Sequence, residues 1–131
     1  MITFDTGVLI ALERRHKLTW DRFRRLRERG IRILVPASCE SEWWRRAPAH
    51  VEIRLAIVPL VIPLTDPIAC AAGEALATLR PGRRRVSAAT TIDAQVMATA
   101  ALHGGGAVLT SDAGDLGLFS RHFPRVTIEQ L

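Results

Sequence analysis

Short β-prone runs alternate with helix-forming stretches along this chain, and no two consecutive runs are close enough in sequence to close a hairpin. Ile2-Thr3-Phe4 passes at once through Asp5-Thr6-Gly7 into a helical stretch beginning at Val8. Residues 31–35 form a second apolar run stopped by Pro36; Ala107-Val108-Leu109-Thr110 and Val126-Thr127-Ile128 are the last two. Residues 58–64 are also β-prone, but Pro59 and Pro63 each remove a ladder donor, which restricts that strand to a short piece or a sheet edge. Strands separated by helices pair in parallel, and a parallel sheet needs both faces covered. The expectation is an α/β fold, a parallel sheet flanked by helices in an α/β/α sandwich, with residues 1–131 as a single domain.

The helical stretches carry start and stop signals. Thr19 is a candidate cap for a helix with Trp20, Phe23 and Leu26 on one face and Arg22, Arg25 and Arg29 on another, ended by Gly30. Ser38 is placed to cap a third helix running through Glu42, Trp43 and Trp44, and Asp66-Pro67 marks the start of another. A basic loop, Arg83-Arg84-Arg85, leads into the helix that carries Asp93 and ends at His103-Gly104-Gly105-Gly106.

In open parallel sheets a ligand binds beyond the carboxyl ends of the strands. Acidic residues mark that edge here. Asp5 and Asp112 each directly follow a strand, Asp115 lies one turn beyond Asp112, and Glu42 and Asp93 are expected in the first turns of helices starting near the same edge. Each has a local explanation: Asp93 as partner of a capping box opened by Thr90, Asp115 likewise after Ser111 or Asp112, Asp5 bonded to its own turn, Glu42 solvated. None of these explains why the acids should mark one edge of a chain with 18 Lys+Arg against 13 Asp+Glu. Carboxylates gathered together need a cation, and an all-oxygen donor set suits a hard divalent ion, Mg²⁺ or Mn²⁺. Lys17 is the only lysine, so the basic excess is arginine, whose planar fork matches phosphate oxygens; codon bias would give the same excess. A metal in an acidic pocket on such a body points to chemistry on a phosphate backbone.

Other chemistries lack their residues. His16, His50, His103 and His122 are scattered without the spacing of a zinc site, no Walker-type loop or nucleophile elbow is present, and Cys39 has no evident histidine partner. Cys39 and Cys70 are too few for a disulfide framework, no uncharged apolar segment is long enough to cross a bilayer, and Asp5 interrupts the only early hydrophobic stretch. A reduced, cytoplasmic protein that does not engage a membrane is expected.

Asp5-Thr6 after the first strand, Pro36 followed six residues later by Glu42 with Trp44-Arg45, Asp93-Ala94 at a helix, and Thr110-Ser111-Asp112-Ala113-Gly114-Asp115-Leu116 together resemble PIN-domain ribonucleases. The nearer likeness is to the VapC-type toxins of bacterial toxin–antitoxin modules, and it extends over essentially the whole chain. The resemblance implies a Rossmann-like PIN fold, a Mg²⁺- or Mn²⁺-dependent endoribonuclease, a homodimer, and a cognate antitoxin that wraps and inhibits the enzyme.

In that scheme Asp5, Glu42, Asp93 and Asp112 hold the metal, with Asp115 acting through water or on a second ion. Thr6 and Ser111 are placed to bond and orient the carboxylates, and Arg83, Arg84 and Arg85 to contact RNA. Residues two apart on a helix point about 200° apart, so only one of Glu40 and Glu42 can face the site; the spacing from Pro36 favours Glu42. Trp43 and Trp44 fit either packing against a dimer mate or antitoxin, or base stacking. The competing class is a PIN-like RNA-binding or scaffold module without cleavage. A receiver-like phosphotransfer domain would need a lysine near the acids, and Lys17 lies in the wrong segment.

Overall fold

The computed structural model describes residues 1–46, 51–79 and 86–131. Its strands are β1 (Ile2–Phe4), β2 (Ile33–Pro36), β3 (Val61–Ile62), β4 (Gly106–Thr110) and β5 (Val126–Gln130). They form one parallel sheet in the order β3-β2-β1-β4-β5. The chain builds outward from β1 to β3, then returns to β1's other side for β4 and β5. Strand order therefore reverses between β1 and β4, and a crevice opens there at the carboxyl ends.

Around the sheet lie α1 (Thr6–Glu13), α2 (Lys17–Glu28), α3 (Ala37–Trp44), α4 (Val51–Ile57), α5 (Asp66–Ala77), α6 (Ala88–Leu102) and α7 (Ala113–Gly117). The inner strands are apolar because helices cover both faces: Ile2, Phe4, Ile33, Leu34, Val35, Val108 and Leu109 are all buried. Small side chains let α6 lie close. Its Ala94, Ala98 and Ala100 are buried, and the helix packs on β1, β2, β4 and α5. On α2, Phe23 is buried and its ring sits 6.0 Å from Phe4, while Trp20 donates its indole N–H to the Leu12 carbonyl at 2.8 Å.

Several helix starts differ from the sequence expectation. Chain α2 begins at Lys17, two residues before Thr19, whose hydroxyl bonds the His16 ring at 2.8 Å instead of capping. Pro36 leads straight from β2 into α3, so Ser38 lies inside the helix and caps nothing. Ser87, not Thr90, caps α6 by accepting the Thr90 N–H at 3.0 Å. As a result Glu42 and Asp93 occupy second turns, not first. Asp66 is the first residue of α5, with Thr65 before it as cap. Residues 31–35 give way to β2 at 33–36, and Ile31 is exposed. The proline-restricted strand behaves as expected: Pro59 sits in a 3-10 turn over Val58–Leu60, and the two-residue β3 lies at the sheet edge.

Gly104, Gly105 and Gly106 all have positive φ. A Cβ on Gly105 would stand 2.5 Å from the Arg125 carbonyl oxygen, and one on Gly106 would stand 2.6 Å from that of Met1. The triple glycine is a turn returning the chain from α6 to β4, which is why it follows a helix. Trp43 is fully buried and donates its indole N–H to Glu13 at 3.0 Å. It is a core residue, and neither base stacking nor a partner surface is open to it. Trp44 is about half exposed, under the Arg54 guanidinium. Cys39 is buried and Cys70 exposed, and neither forms a disulfide. Among the described residues no helix is long and apolar enough to cross a membrane.

Candidate metal centre

Strand register sets the site. Phe4 pairs with Leu109, and the next N–H, that of Asp5, donates to the Leu109 carbonyl at 3.0 Å, so Asp5 and Thr110 leave the sheet side by side. The Thr110 hydroxyl donates to Asp5 Oδ2 at 2.7 Å and accepts the Asp112 main-chain N–H at 3.0 Å. Asp5 also caps α1, its Oδ1 accepting the Thr6 N–H at 2.7 Å. In turn Thr6 donates its hydroxyl to Glu42 Oε2 at 2.7 Å. Two buried threonine hydroxyls thereby join Glu42, Asp5 and the Asp112 backbone, which come from three separate parts of the sequence.

The electrostatics tie Asp93 to the same group. Burial first, then the charges of Asp5, Asp115, Glu42 and Asp112, push its carboxyl up to about 7. Burial also raises Asp5, against the lowering effect of hydrogen bonds from Thr110 and Thr6. The Cys39 thiol, 3.7 Å from Asp5 Oδ1, is buried and raised well above its ordinary value, so it stays protonated beneath the carboxylate. Five acids bearing on one another and holding a proton near neutrality describe a site short of positive charge. The donors are all carboxylate and hydroxyl oxygens, which fits a hard divalent cation. Their present spacing is looser than a finished cage: among the described residues, no three acidic, histidine or cysteine side chains stand ready to share one ion.

The loop carrying Asp112 is fixed from two sides. Asp112 caps α7, its Oδ1 accepting the Gly114 N–H at 3.2 Å, and Asp115 lies in the first turn of that helix. From the end of β5, the Gln130 side chain donates to the Ser111 carbonyl at 2.7 Å and accepts the Ala113 N–H at 3.2 Å. One side-chain amide thus supplies the two bonds that a further residue of strand would have made, and it straddles Asp112. From the other side, Gly7 leaves no room for a side chain: a Cβ there would fall 2.8 Å from Ser111 Cβ and 3.2 Å from its main-chain nitrogen. Helix α1 and the acidic loop can touch only because residue 7 is glycine.

The expected residues divide accordingly. Asp5, Glu42, Asp93, Asp112 and Asp115 fall at the same edge, and Thr6 bonds a carboxylate as expected. Glu42 faces Thr6, while Glu40 points to Arg54 at 3.7 Å. Among the described residues no hydrogen bond joins the Ser111 hydroxyl to a carboxylate; its position in the bridging role is taken by Thr110. Arg83, Arg84 and Arg85 lie outside the described residues. The clefts beside the acids are lined by other arginines: Arg45 and Arg46 with Glu42, Thr6 and Ser111, and Arg14 with Arg46 and Ser111 next door. Thr110 was legible as a polar residue ending a strand before an acid. Gln130 carried no signal, because its role depends on the register of β5 against β4.

The fold is a PIN-like α/β sandwich. No family model and no curated protein sequence matches the chain. Solved structures do match. VapBC2 from Rickettsia felis, bound to a DNA fragment from its promoter, shares 12% identity over 100% of this chain and 99% of that one, with a TM-score of 0.75. FitAcB from Neisseria gonorrhoeae shares 20% identity over 98% and 96%, with a TM-score of 0.67. FitAB bound to an IR36 DNA fragment shares 16% over 99% and 94%, with a TM-score of 0.64. At these identities the likeness is one of fold.

Proposed function

We propose that this chain is a divalent-metal-dependent endoribonuclease and the toxin of a toxin–antitoxin pair. The observation that carries the reading is the arrangement of Asp5, Glu42, Asp93, Asp112 and Asp115, from four separate stretches of sequence, around the β1/β4 switch point, with threonine bridges fixing three of them. Asp5, Glu42, Asp93 and Asp112 would hold Mg²⁺ or Mn²⁺, with Asp115 outside them. When bound there, such an ion would supply a water of lowered pKa and positive charge opposite the phosphate. The residues do the rest: Thr6 and Thr110 hold Glu42 and Asp5 in orientation, and the Gln130 amide fixes the Asp112 loop.

The partner is proposed on the fold neighbours, VapBC2 and the Fit complexes, and on this chain's own surface. Trp44, Val51, Leu55 and Val58 expose apolar side chains on and beside α4, a surface suited to an antitoxin or to a second copy in a homodimer. A second reading, a PIN-like RNA-binding or scaffold module without cleavage, draws on the looseness of the acids, no three of which are poised for one ion among the described residues. The deciding experiment incubates purified, partner-free protein with a structured RNA. Cleavage with Mg²⁺ or Mn²⁺ that stops in EDTA supports the enzyme. Binding without cleavage under either metal supports the scaffold.

A further inference from the structure

The two clefts at the acidic edge are confluent. One, about 340 Å³, is lined by Thr6, Glu42, Arg45 and Arg46; the other, about 570 Å³, runs over α1 past Ile10, Ala11, Arg14 and His16. They share Gly7, Ile10, Arg46 and Ser111, so a ligand can pass from the carboxylates onto the helix without leaving the surface. Both volumes fall in the range of ligand clefts, about 300–1,000 Å³.

What distinguishes Arg14, Arg45 and Arg46 is their place in the clefts that adjoin the acids. Four arginines elsewhere are held by carboxylates: Arg15 pairs with Glu52, Arg22 with Glu129, Arg24 with Asp21 and Arg54 with Glu40. Among the described residues no carboxylate pairs with Arg14, Arg45 or Arg46. Three free guanidinium groups therefore line one continuous channel that begins at the acids, above a floor of Ile10 and Ala11. Guanidinium forks match phosphate oxygens, and an apolar floor suits the face of an unpaired base.

We propose that this channel is the path of the single-stranded RNA beside the scissile bond, with Arg45 and Arg46 on the nearer phosphates and Arg14 on a more distant one. The proposal rests on the ribonuclease reading and specifies where its substrate lies. It assigns strand binding to residues on α1 and just after α3.

The test measures binding of a fluorescein-labelled oligouridylate of about twelve nucleotides across a range of salt, in the Asp93→Asn background so that the strand survives. Arg14→Gln with Arg46→Gln should weaken binding at least tenfold at low salt. It should also flatten the slope of log Kd against log salt by about 1.4, from about 0.7 per lost phosphate contact. Arg24→Gln with Arg25→Gln removes the same charge from α2 and should leave the slope unchanged. Equal slopes for the channel variant and its parent, or an equal fall in the α2 control, would overturn the path. So would competition by a polyglutamate peptide as effective as unlabelled RNA, which would assign the channel to an acidic peptide. Both double variants replace exposed side chains, and thermal melts within a few degrees of the parent confirm that folding is not the cause. Metal-dependent cleavage by the wild-type chain is scored separately, so failure of the ribonuclease reading is visible apart from this result.

Discussion

Thr110 and Asp5 are joined by a hydrogen bond of 2.7 Å in which a fully buried hydroxyl donates to the carboxylate while accepting the Asp112 N–H behind it. Ends of two adjacent parallel strands are thereby locked to each other at the point where strand order reverses. Thr110→Val keeps the shape and removes both bonds, leaving the Asp112 N–H and one lone pair of Asp5 unmet. The expected cost is about 1–3 kcal/mol of stability, with RNA cleavage falling at least tenfold. Thr110→Ser restores the hydroxyl and should recover most of the activity. A Val variant that cleaves normally would remove Thr110 from the site.

Gln130 acts at a distance from the acids, through the loop that carries Asp112. In Gln130→Leu the Ser111 carbonyl and Ala113 N–H lose their partner at an exposed edge where water replaces it, so the melting temperature should fall by only a few degrees. Metal affinity should fall more, on the order of tenfold or above, as for other groups that orient a metal ligand. Mn²⁺ titration of wild type and variant separates the two effects. Recovery of cleavage at raised Mn²⁺ would mark Gln130 as a positioning residue; unchanged Mn²⁺ affinity would show that the clamp is only structural.

Close approach of α1 to the acidic loop sets another expectation. Gly7→Ala places a methyl against Ser111 Cβ and its backbone nitrogen, which a side-chain rotation cannot relieve. A loss of about 1–3 kcal/mol is expected from overpacking, read by chemical denaturation. Ser111→Gly removes the nearer obstacle and should recover part of it.

Asp93 gives the protein a pH dependence whose sign follows from its raised carboxyl. Its ordinary value is 3.8 and the folded value about 7, so between these pH values the folded state holds the proton and the unfolded state does not. Without added metal, stability is therefore full below about pH 4 as far as this group is concerned, and is lost as pH rises through 7. Allowing for solvent screening, the loss is on the order of 1–2 kcal/mol. Asp93→Asn should flatten that slope and melt higher than wild type at pH 8, while losing cleavage. A melting temperature independent of pH from 5 to 8 in wild type would contradict the assignment.

Much of this was legible in the residues, for identifiable reasons. Alternating β-prone runs and helix signals pointed to the parallel sheet, because a helical crossover is the connection that parallel neighbours require. The acids at strand ends gave the edge. The features not legible in the sequence depend on register and depth. Trp43 looked like a surface anchor beside Trp44, and only the packing of α3 shows it fully buried with Glu13. Ser87 and Thr90 are both good caps three residues apart, and nothing local in the sequence decides between them. Gln130 is separated from Ser111 by 19 residues, and its role exists only through the pairing of Thr110 with Gln130 in the sheet.

The most direct measurement is calorimetric titration of Mn²⁺ into the purified chain at pH 7.5, run in parallel with Glu42→Gln and Glu40→Gln. Glu42 sits on the Thr6 hydroxyl within the acidic group, while Glu40 turns away to a partly exposed pair with Arg54 at 3.7 Å. The account predicts saturable binding to the wild type, retention of that affinity in Glu40→Gln, and a loss of tenfold or more in Glu42→Gln. Absence of Mn²⁺ binding to the wild type, or loss with Glu40→Gln and not with Glu42→Gln, would contradict it.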